Sequence, residues 1–203
     1  MIQLPATLER ILRDLAESGR VHDAAEPRHD RRRLNLEWAT AEALFLLVRM
    51  AGCRSLLEIG TSNGFSTLWL AAALGSGDDG RLVTLDRDPG KTEQARHNLQ
   101  RAGLDARVRL LVGQATALVA GLDGPFDGVF FDADRVSAPE QLALLLPRLT
   151  GNAVLFADNA LSHPAEIAGY LEAVERSGQF DTTLLPVGKG LHVAVRNPAR
   201  TTR

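Results

Sequence analysis

The chain has 203 residues, of which 45% are hydrophobic and 24% are charged, and its formal net charge is −2. These values fit one folded domain, exclude disordered and fibrous proteins, and provide no general attraction for nucleic acids or anionic membranes. The single cysteine, Cys53, excludes an internal disulfide, and no apolar run approaches the ~20 residues of a membrane span. We therefore expect a cytoplasmic protein without membrane association, in which Cys53 is a buried apolar residue.

Short β-rich apolar runs alternate with longer segments of helical period, which is typical of a parallel sheet covered by helices on both faces. The pattern predicts helices over residues 4–18, 36–50, 66–74, 89–102, 116–121, 138–149 and 164–177. It predicts strands over residues 55–59, 81–86, 108–112, 128–132, 153–158, 182–186 and 191–196. Only residues 187–190 join the last two strands, so these strands form an antiparallel hairpin. The prediction is a doubly wound, Rossmann-like α/β fold with a seven-stranded, mostly parallel sheet and a C-terminal antiparallel hairpin.

The charged segment 22–33 lacks apolar periodicity and is interpreted as a linker after the first helix. We therefore divide the chain into an N-terminal helix with its linker, residues 1–33, and a main domain, residues 34–203, within one globular unit. The linker contains a run of three arginines, but Glu26 and Asp30 interrupt its basic charge and no aromatic stacking residues lie between the basic ones. This composition favours a solvated surface over contact with RNA.

A glycine-punctuated turn follows the first predicted strand in the segment LLEIGTSNGFS. Gly60 and Gly64 lack Cβ atoms, which makes room for a ligand against the backbone, and Glu58 places a carboxyl group at the end of the strand. The second strand ends in Asp86, the position at which doubly wound nucleotide-binding folds bind ribose hydroxyls. This pairing predicts a cofactor site across the first two strand ends.

The turn lacks the G-x-G-x-x-G fingerprint that binds the pyrophosphate of a dinucleotide, and the chain has no Tyr-x-x-x-Lys pair. An NAD-dependent oxidoreductase is therefore the less favoured interpretation. S-adenosylmethionine fits better, because it offers ribose hydroxyls, an adenine ring and a zwitterionic tail but no phosphate. Acidic residues are also compatible with its sulfonium cation.

Oxygen-bearing side chains follow two later strands, in the segments FFDAD and FADN. Because the carboxyl ends of parallel strands meet at one edge of the sheet, we expect Asp132, Asp158 and Asn159 to lie close together. Such an all-oxygen set suits a hard divalent cation, with magnesium favoured and manganese or calcium as alternatives. Asp134 is interpreted as a cap of the following turn.

Five segments resemble motifs of the cation-dependent O-methyltransferases, the family of catechol and caffeoyl-coenzyme A O-methyltransferases: LLEIGTSNGFSTLWLA, VTLDRDP, FDGVFFDAD, FADNAL and LLPVGKGL. The resemblance covers residues 34–196. It implies a class I S-adenosylmethionine-dependent enzyme that methylates a hydroxyl of a small, catechol-like molecule with the help of a divalent cation. The implied cofactor contacts are Leu36, Glu58, Gly60, Ser62, Gly64, Ser66, Asp86, Arg87, Ala115, Thr116 and Asp132. The implied cation ligands are Asp132, Asp158 and Asn159.

The chain departs from the family pattern at Arg135, where the family commonly has the lysine that acts as the base. Arginine stays protonated, so Arg135 is predicted to orient the acceptor or the Asp132 carboxylate. His163 is the predicted proton acceptor, with water as the alternative and a polar loop residue as the other interpretation. Few residues separate Asn159 from the final hairpin, so the insertion that covers the acceptor in many members is reduced here.

This open acceptor site leaves two alternative functions, a methyltransferase for a modified RNA nucleoside and a non-catalytic, cofactor-binding interaction protein. A homodimer stays open as the oligomeric state. Lys189 and His192 lie in the hairpin and are interpreted as edge-strand residues. Trp69 is interpreted as a core residue, and Trp38 as a core residue in preference to a pocket wall.

Overall fold

The computed structural model describes residues 2–74 and 80–201. Its helices are α1 (Ala6–Ala25), α2 (Trp38–Ala51), α3 (Phe65–Ala73), α4 (Pro89–Ala102), α5 (Ala115–Ala120), α6 (Ala138–Leu145), α7 (Pro164–Ser177) and α8 (Pro198–Thr201). Its strands are β1 (Ser55–Ile59), β2 (Arg81–Asp86), β3 (Val108–Val112), β4 (Phe126–Phe131), β5 (Leu149–Ala157), β6 (Phe180–Leu185) and β7 (Leu191–Arg196). Short 3₁₀ turns lie at His29–Arg31, Asp105–Arg107 and Leu146–Arg148.

The strands form one sheet in the order β3-β2-β1-β4-β5-β7-β6. Strands β1 to β5 pair in parallel, and β7 pairs antiparallel to both β5 and β6. The chain winds outward from β1 to β3 and then returns to β4 beside β1. This topology confirms the predicted doubly wound fold and its C-terminal hairpin. It also places the carboxyl ends of β1 and β4 side by side where the winding reverses, which is where such folds bind ligands.

Helices cover both faces of the sheet and produce two hydrophobic cores. The first core combines α1 to α4 with one face, and the second combines α5 to α7 with the other face. Strand side chains alternate between faces, so Leu56 faces the first core and Leu57 faces the second. Trp69 is 1% exposed and Cys53 is buried in the first core, which confirms both predictions.

The same alternation fixes the direction of the acidic side chains. Phe130 and Phe156 belong to the first core. Side chains two residues apart in an extended chain point to the same face, so Asp132 and Asp158 point toward the first core as well. Glu58 follows Leu56 in β1 by the same interval and also points toward this face. Three carboxyl groups therefore lie on the α1 to α4 side of the sheet.

Helix α1 is longer than predicted, because it continues beyond residue 18 to Ala25 and includes the first part of the predicted linker 22–33. The Ser-Gly pair at 18 and 19 indicates a helix end in sequence. In the structure Gly19 instead lies inside the helix, where the Asn35 side chain packs against its backbone. The Asn35 amide also donates a hydrogen bond to the Leu15 carbonyl at 2.9 Å. Gly19 is therefore a site of close packing, and the linker prediction is wrong for residues 22–25.

The predicted helix 138–149 is also wrong at its end. Helix α6 ends at Leu145, a 3₁₀ turn contains Pro147, and β5 begins at Leu149. Proline has no backbone N–H and its ring collides with the preceding turn, so the α-helix cannot continue through it. The short helix α8 was not predicted, and the remaining bounds differ from prediction by a few residues. No helix in the described ranges is long and apolar enough to cross a membrane.

Candidate active site

The turn after β1 is held by backbone hydrogen bonds and by glycines with positive φ. The N–H groups of Gly60 and Thr61 both donate to the Leu85 carbonyl, at 2.9 and 3.2 Å. Gly60 has φ +114° and Gly64 has φ +87°. A Cβ at Gly60 would collide with the Asp132 carbonyl, and one at Gly64 would lie 3.0 Å from the Ala95 side chain. The structure therefore gives these glycines an immediate role in the close approach of β4 and α4, beside their predicted role in making room for a cofactor.

Glu58 lies in a fully buried pocket of hydroxyl groups. Its carboxylate accepts hydrogen bonds from Ser66 at 2.6 Å, Thr67 at 2.5 Å and Thr84 at 2.6 Å. Burial raises the pKa of Glu58 to about 7, although the three hydroxyls oppose this rise. The side chain is 0% exposed, so this carboxyl group supports the turn from within the protein. Ser66, another predicted cofactor contact, is 6% exposed and directed to Glu58.

Asp86 ends β2 with a half-buried carboxylate that binds backbone N–H groups. Its Oδ2 accepts a hydrogen bond from Ser62 at 2.7 Å, and its Oδ1 accepts one from Asp88 at 2.9 Å. Ser62 has φ +47°, and its hydroxyl donates to the Arg33 carbonyl at 2.7 Å. Asp86 therefore connects the turn after β1 to the turn after β2, at the edge where the cofactor site was predicted.

Asp132 and Asp158 directly follow β4 and β5, and backbone hydrogen bonds join these strand ends. Asp132 N–H donates to the Ile59 carbonyl at 2.9 Å, and Asp158 N–H donates to the Phe131 carbonyl at 3.2 Å. Burial raises the pKa of both carboxyl groups, and the charge of Asp158 raises that of Asp132 further. The structure thus brings together the two acidic residues that the sequence predicted to be neighbours.

Asn159 completes the predicted ligand set, but its amide contacts other side chains. Its Nδ2 donates to Asp158 Oδ2 at 3.0 Å, and its Oδ1 accepts from Ser162 at 3.3 Å. Asp158 Oδ1 is buried and has no hydrogen-bond partner in the described part of the chain. This orphaned oxygen and the oxygen-only donor set fit a hard divalent cation. Among the described residues, no three His, Cys, Asp or Glu side chains group closely enough to hold a metal ion.

The two predicted catalytic residues have partners of their own. Arg135 donates to Glu166 Oε2 from Nη2 at 2.7 Å and from Nε at 3.0 Å. Its charge lowers the pKa of Asp132 and of Asp158, but among the described residues its side chain donates to Glu166 and not to the Asp132 carboxylate. His163 Nδ1 lies 2.8 Å from the Ser162 hydroxyl, just before α7.

The remaining predicted cofactor contacts differ in exposure. Leu36 is 6% exposed and belongs to the first core, whereas Arg87 is exposed beside Asp86. Ala115 and Thr116 are half-buried in the first turn of α5, and the Thr116 hydroxyl accepts a hydrogen bond from Gln141 at 3.4 Å. The preceding turn is tied to β2, because Gly113 N–H donates to the Asp86 carbonyl at 2.9 Å.

Three residues near the acidic pair were not assigned to the site from sequence. Glu37 immediately precedes α2 and forms an ion pair with Lys189 in the hairpin turn, with 3.2 Å between Oε1 and Nζ. Thr40 is fully buried in α2, and its hydroxyl and Glu37 Oε2 both lie against Gly188. The charges of Glu37 and Lys189 both act on the pKa of Asp158. The sequence signal for them is the GKG segment in the hairpin connection, where Lys189 is interpreted as an edge-strand residue and not as a site residue.

The fold is that of the doubly wound α/β proteins, which bind ligands at the carboxyl ends of the strands where the winding reverses. The glycine turn after β1 and the acids that follow β2, β4 and β5 lie at this edge. A model of the methyltransferase domain family matches residues 57–160. The chain is 44% identical over 119 residues to a catechol O-methyltransferase of Mycobacterium tuberculosis, covering 58% of this chain and 53% of that protein. It is 34% identical over 173 residues to a Mycolicibacterium smegmatis protein assigned as an O-methyltransferase, covering 78% and 81%.

Solved structures agree with these relatives. The O-methyltransferase from Bacillus cereus in complex with SAH matches with a TM-score of 0.77 and 29% identity, over 97% of this chain and 93% of that chain. The chain therefore belongs to the O-methyltransferase family. It spans about half the length of the catechol O-methyltransferases that it matches.

Proposed function

We propose that this protein transfers the methyl group of S-adenosylmethionine to a hydroxyl of a small molecule with vicinal hydroxyls, with the help of Mg²⁺ or a similar divalent cation. The observation that carries the proposal is the pair Asp132 and Asp158 at adjacent strand ends, where one buried Asp158 oxygen has no partner among residues 2–74 and 80–201. This pair lies one strand away from the glycine turn at the reversal of the winding. Cofactor and acceptor sites are therefore adjacent.

The cofactor half of the site uses the turn after β1 and the acid after β2. Asp86 holds the Ser62 N–H and has a half-buried carboxylate at the position of a ribose acceptor. Arg87, Ala115 and Thr116 follow at neighbouring strand ends and border the adenine side in this proposal. The cofactor supplies an electrophilic methyl group on a sulfonium, so the protein has only to orient an oxygen nucleophile toward it.

The acceptor half uses Asp132, Asp158 and Asn159. These residues would hold a divalent cation, which acidifies a hydroxyl bound to it. Without the cation, burial raises the pKa of both carboxyl groups and the charge of Asp158 raises that of Asp132 further, so cation binding is coupled to their ionisation. A released hydroxyl proton passes to His163 or to water, while Arg135 stays cationic and fixes α7 through Glu166.

A methyl-transfer assay with labelled S-adenosylmethionine and a panel of catechols and single phenols tests the proposal. We expect transfer to the vicinal diols, loss of transfer with a chelator, and recovery with Mg²⁺ or Mn²⁺. The double variant Asp132→Asn with Asp158→Asn should lose transfer while it still binds S-adenosylhomocysteine. Equal transfer with and without chelator, or full activity of the double variant, would contradict the role of the cation.

A further inference from the structure

One ion pair involves Arg135, three residues after Asp132, and another involves Lys189, in the hairpin turn that is hydrogen-bonded to the loop after Asp158. Arg135 pairs with Glu166 of α7 at 2.7 Å, and Lys189 of the hairpin turn pairs with Glu37 at 3.2 Å. The Lys189 side chain is 42% exposed, whereas the Arg135 side chain is 21% exposed and held by two hydrogen bonds to Glu166. Of these two cations, Lys189 is therefore the more accessible to a molecule that enters from solvent.

The backbone around Lys189 is fixed against the loop that follows Asp158. The N–H groups of Leu161 and Ser162 donate to the Lys189 carbonyl at 2.9 and 3.1 Å, and Ala160 N–H donates to the Gly190 carbonyl at 2.9 Å. Gly190 has φ +92°, and a Cβ there would lie 2.6 Å from Leu161 N. The turn therefore maintains a close, side-chain-free contact with this loop, and the backbone of Lys189 is fixed beside Leu161 and Ser162.

Hydrogen-bonding capacity remains open at this position. Glu37 Oε2 and the Thr40 hydroxyl are buried, lie against Gly188, and have no partner in the described part of the chain. Asp158 Oδ1 is likewise buried and has no hydrogen-bond partner among the described residues. Lys189 is therefore an accessible cation, and the nearby Glu37 and Thr40 oxygens have open hydrogen-bonding capacity within the described part of the chain.

We propose that Lys189 is a catalytic residue of the methyl transfer: its ammonium group donates a hydrogen bond to the acceptor oxygen and stabilises the negative charge on it, while Glu37 positions the ammonium. This assignment rests on the proposed function. The acceptor O–H bond breaks and its proton leaves to His163 or water. The oxygen then bonds to the methyl carbon, and the carbon–sulfur bond breaks with its electron pair on sulfur. Lys189 keeps its own protons throughout and acts through its charge.

The ionisation of 4-nitrocatechol, followed by its visible absorbance, measures this charge effect without turnover. The parent protein and its variants are titrated with pH in the presence of S-adenosylhomocysteine and Mg²⁺. In Lys189→Met we expect bound 4-nitrocatechol to ionise about one pH unit higher than in the parent, because a stabilising charge is lost. Lys189→Arg keeps the charge and should stay close to the parent. Arg176→Met removes an exposed cation paired with Glu172 on α7 and is the matched control.

Methyl-transfer kinetics provide the second measurement. We expect kcat to fall about tenfold or more in Lys189→Met with a smaller change in KM, a partial fall in Glu37→Gln, and recovery in Lys189→Arg. Thermal melting verifies that each variant is folded. A folded Lys189→Met variant that matches the parent in both measurements overturns the assignment, and equal loss in the Met and Arg variants excludes a role through charge. A parent protein that does not bind 4-nitrocatechol contradicts the proposed function itself, and the assignment falls with it.

Discussion

Glu58 and Asp86 end neighbouring strands, yet their carboxylates have opposite surroundings. Within the described residues, the fully buried Glu58 accepts hydrogen bonds from side-chain hydroxyls alone, whereas the half-buried Asp86 accepts from backbone N–H groups alone. The sequence predicted both as cofactor contacts. The structure makes Glu58 an internal support of the glycine turn and leaves Asp86 at the accessible edge. Two predictions separate these roles.

The stability of the apo protein should fall with rising pH because of Glu58. Its pKa is near 4.5 in an unfolded chain and is raised to about 7 in the folded one. The folded state therefore binds more protons between these values, so the free energy of unfolding decreases as pH rises through about 7. We expect Glu58→Gln to remove about 2 to 3 kcal/mol of this decrease between pH 5 and 8. Urea unfolding without divalent cations measures it.

Glu42→Gln, on the partly exposed side of α2, is the matched control and should keep the parental pH dependence. An unchanged pH dependence in Glu58→Gln would show that Glu58 ionises normally in the folded protein.

Cofactor affinity should depend on Asp86. Asp86→Ala removes the acceptor proposed for the ribose hydroxyls and should weaken S-adenosylhomocysteine binding by about 1.5 to 3 kcal/mol, as measured by calorimetry. Asp88→Ala is the control, because Asp88 caps α4 through Gly90 N–H and Lys91 N–H and lies two residues away. The control should lose about 1 kcal/mol of stability but retain affinity. Equal affinity of the Asp86 variant and the parent would remove Asp86 from the site.

At the level of elements, the site consists of strand ends joined through their backbones. Backbone N–H groups in the turn after β1 donate hydrogen bonds to the Leu85 carbonyl of β2. In the same way, the backbone N–H of Asp132 donates to the Ile59 carbonyl of β1, and that of Asp158 donates to the Phe131 carbonyl of β4. Each junction needs close backbone approach, which is why Gly60 adopts a φ that side chains disfavour. Displacement of one turn would therefore shift the neighbouring acid.

Alanine substitutions at two glycines test this tight junction. Gly52 ends α2 with φ +67° and has open space around it, so Gly52→Ala should cost only about 1 to 2 kcal/mol of backbone strain. Gly60→Ala adds a collision with the Asp132 carbonyl and should cost at least about 2 kcal/mol more. Chemical unfolding compares the two variants. Similar losses at both positions would mean that the backbone at Gly60 has room to relax.

At the level of the whole molecule, the reversal of the winding between β1 and β4 sets the cofactor half of the site beside the acceptor half. Strand β7 runs antiparallel to β5, so the turn before β7 lies at the carboxyl end of β5. This turn contains Lys189 and is hydrogen-bonded to the loop after Asp158. The division of the chain at residue 33 stays a prediction, although α1 packs into the first core through Leu8, Ile11, Leu12 and Leu15.

Divalent cations should stabilise the folded protein as a whole. A ligand that binds only the folded state raises the melting temperature, and here it would also relieve the repulsion between Asp132 and Asp158. We expect millimolar Mg²⁺ to raise Tm by about 2 to 5 °C relative to a chelator. The double variant Asp132→Asn with Asp158→Asn should show no such rise. An equal rise in parent and double variant would locate the cation elsewhere.

The local pattern of apolar and polar residues was sufficient to predict the strands, most helices and the type of sheet. It was also sufficient to predict that Asp86, Asp132 and Asp158 lie at strand ends. Apolar periodicity reports burial directly, and parallel strands must bring their carboxyl ends to one edge. Tertiary contacts decided the rest. Burial of Glu58 among hydroxyls, the pairing of Arg135 with Glu166, and the approach of Lys189 and Glu37 to Asp158 each join residues distant in sequence. Such pairings depend on strand order and side-chain direction, which no local spacing encodes.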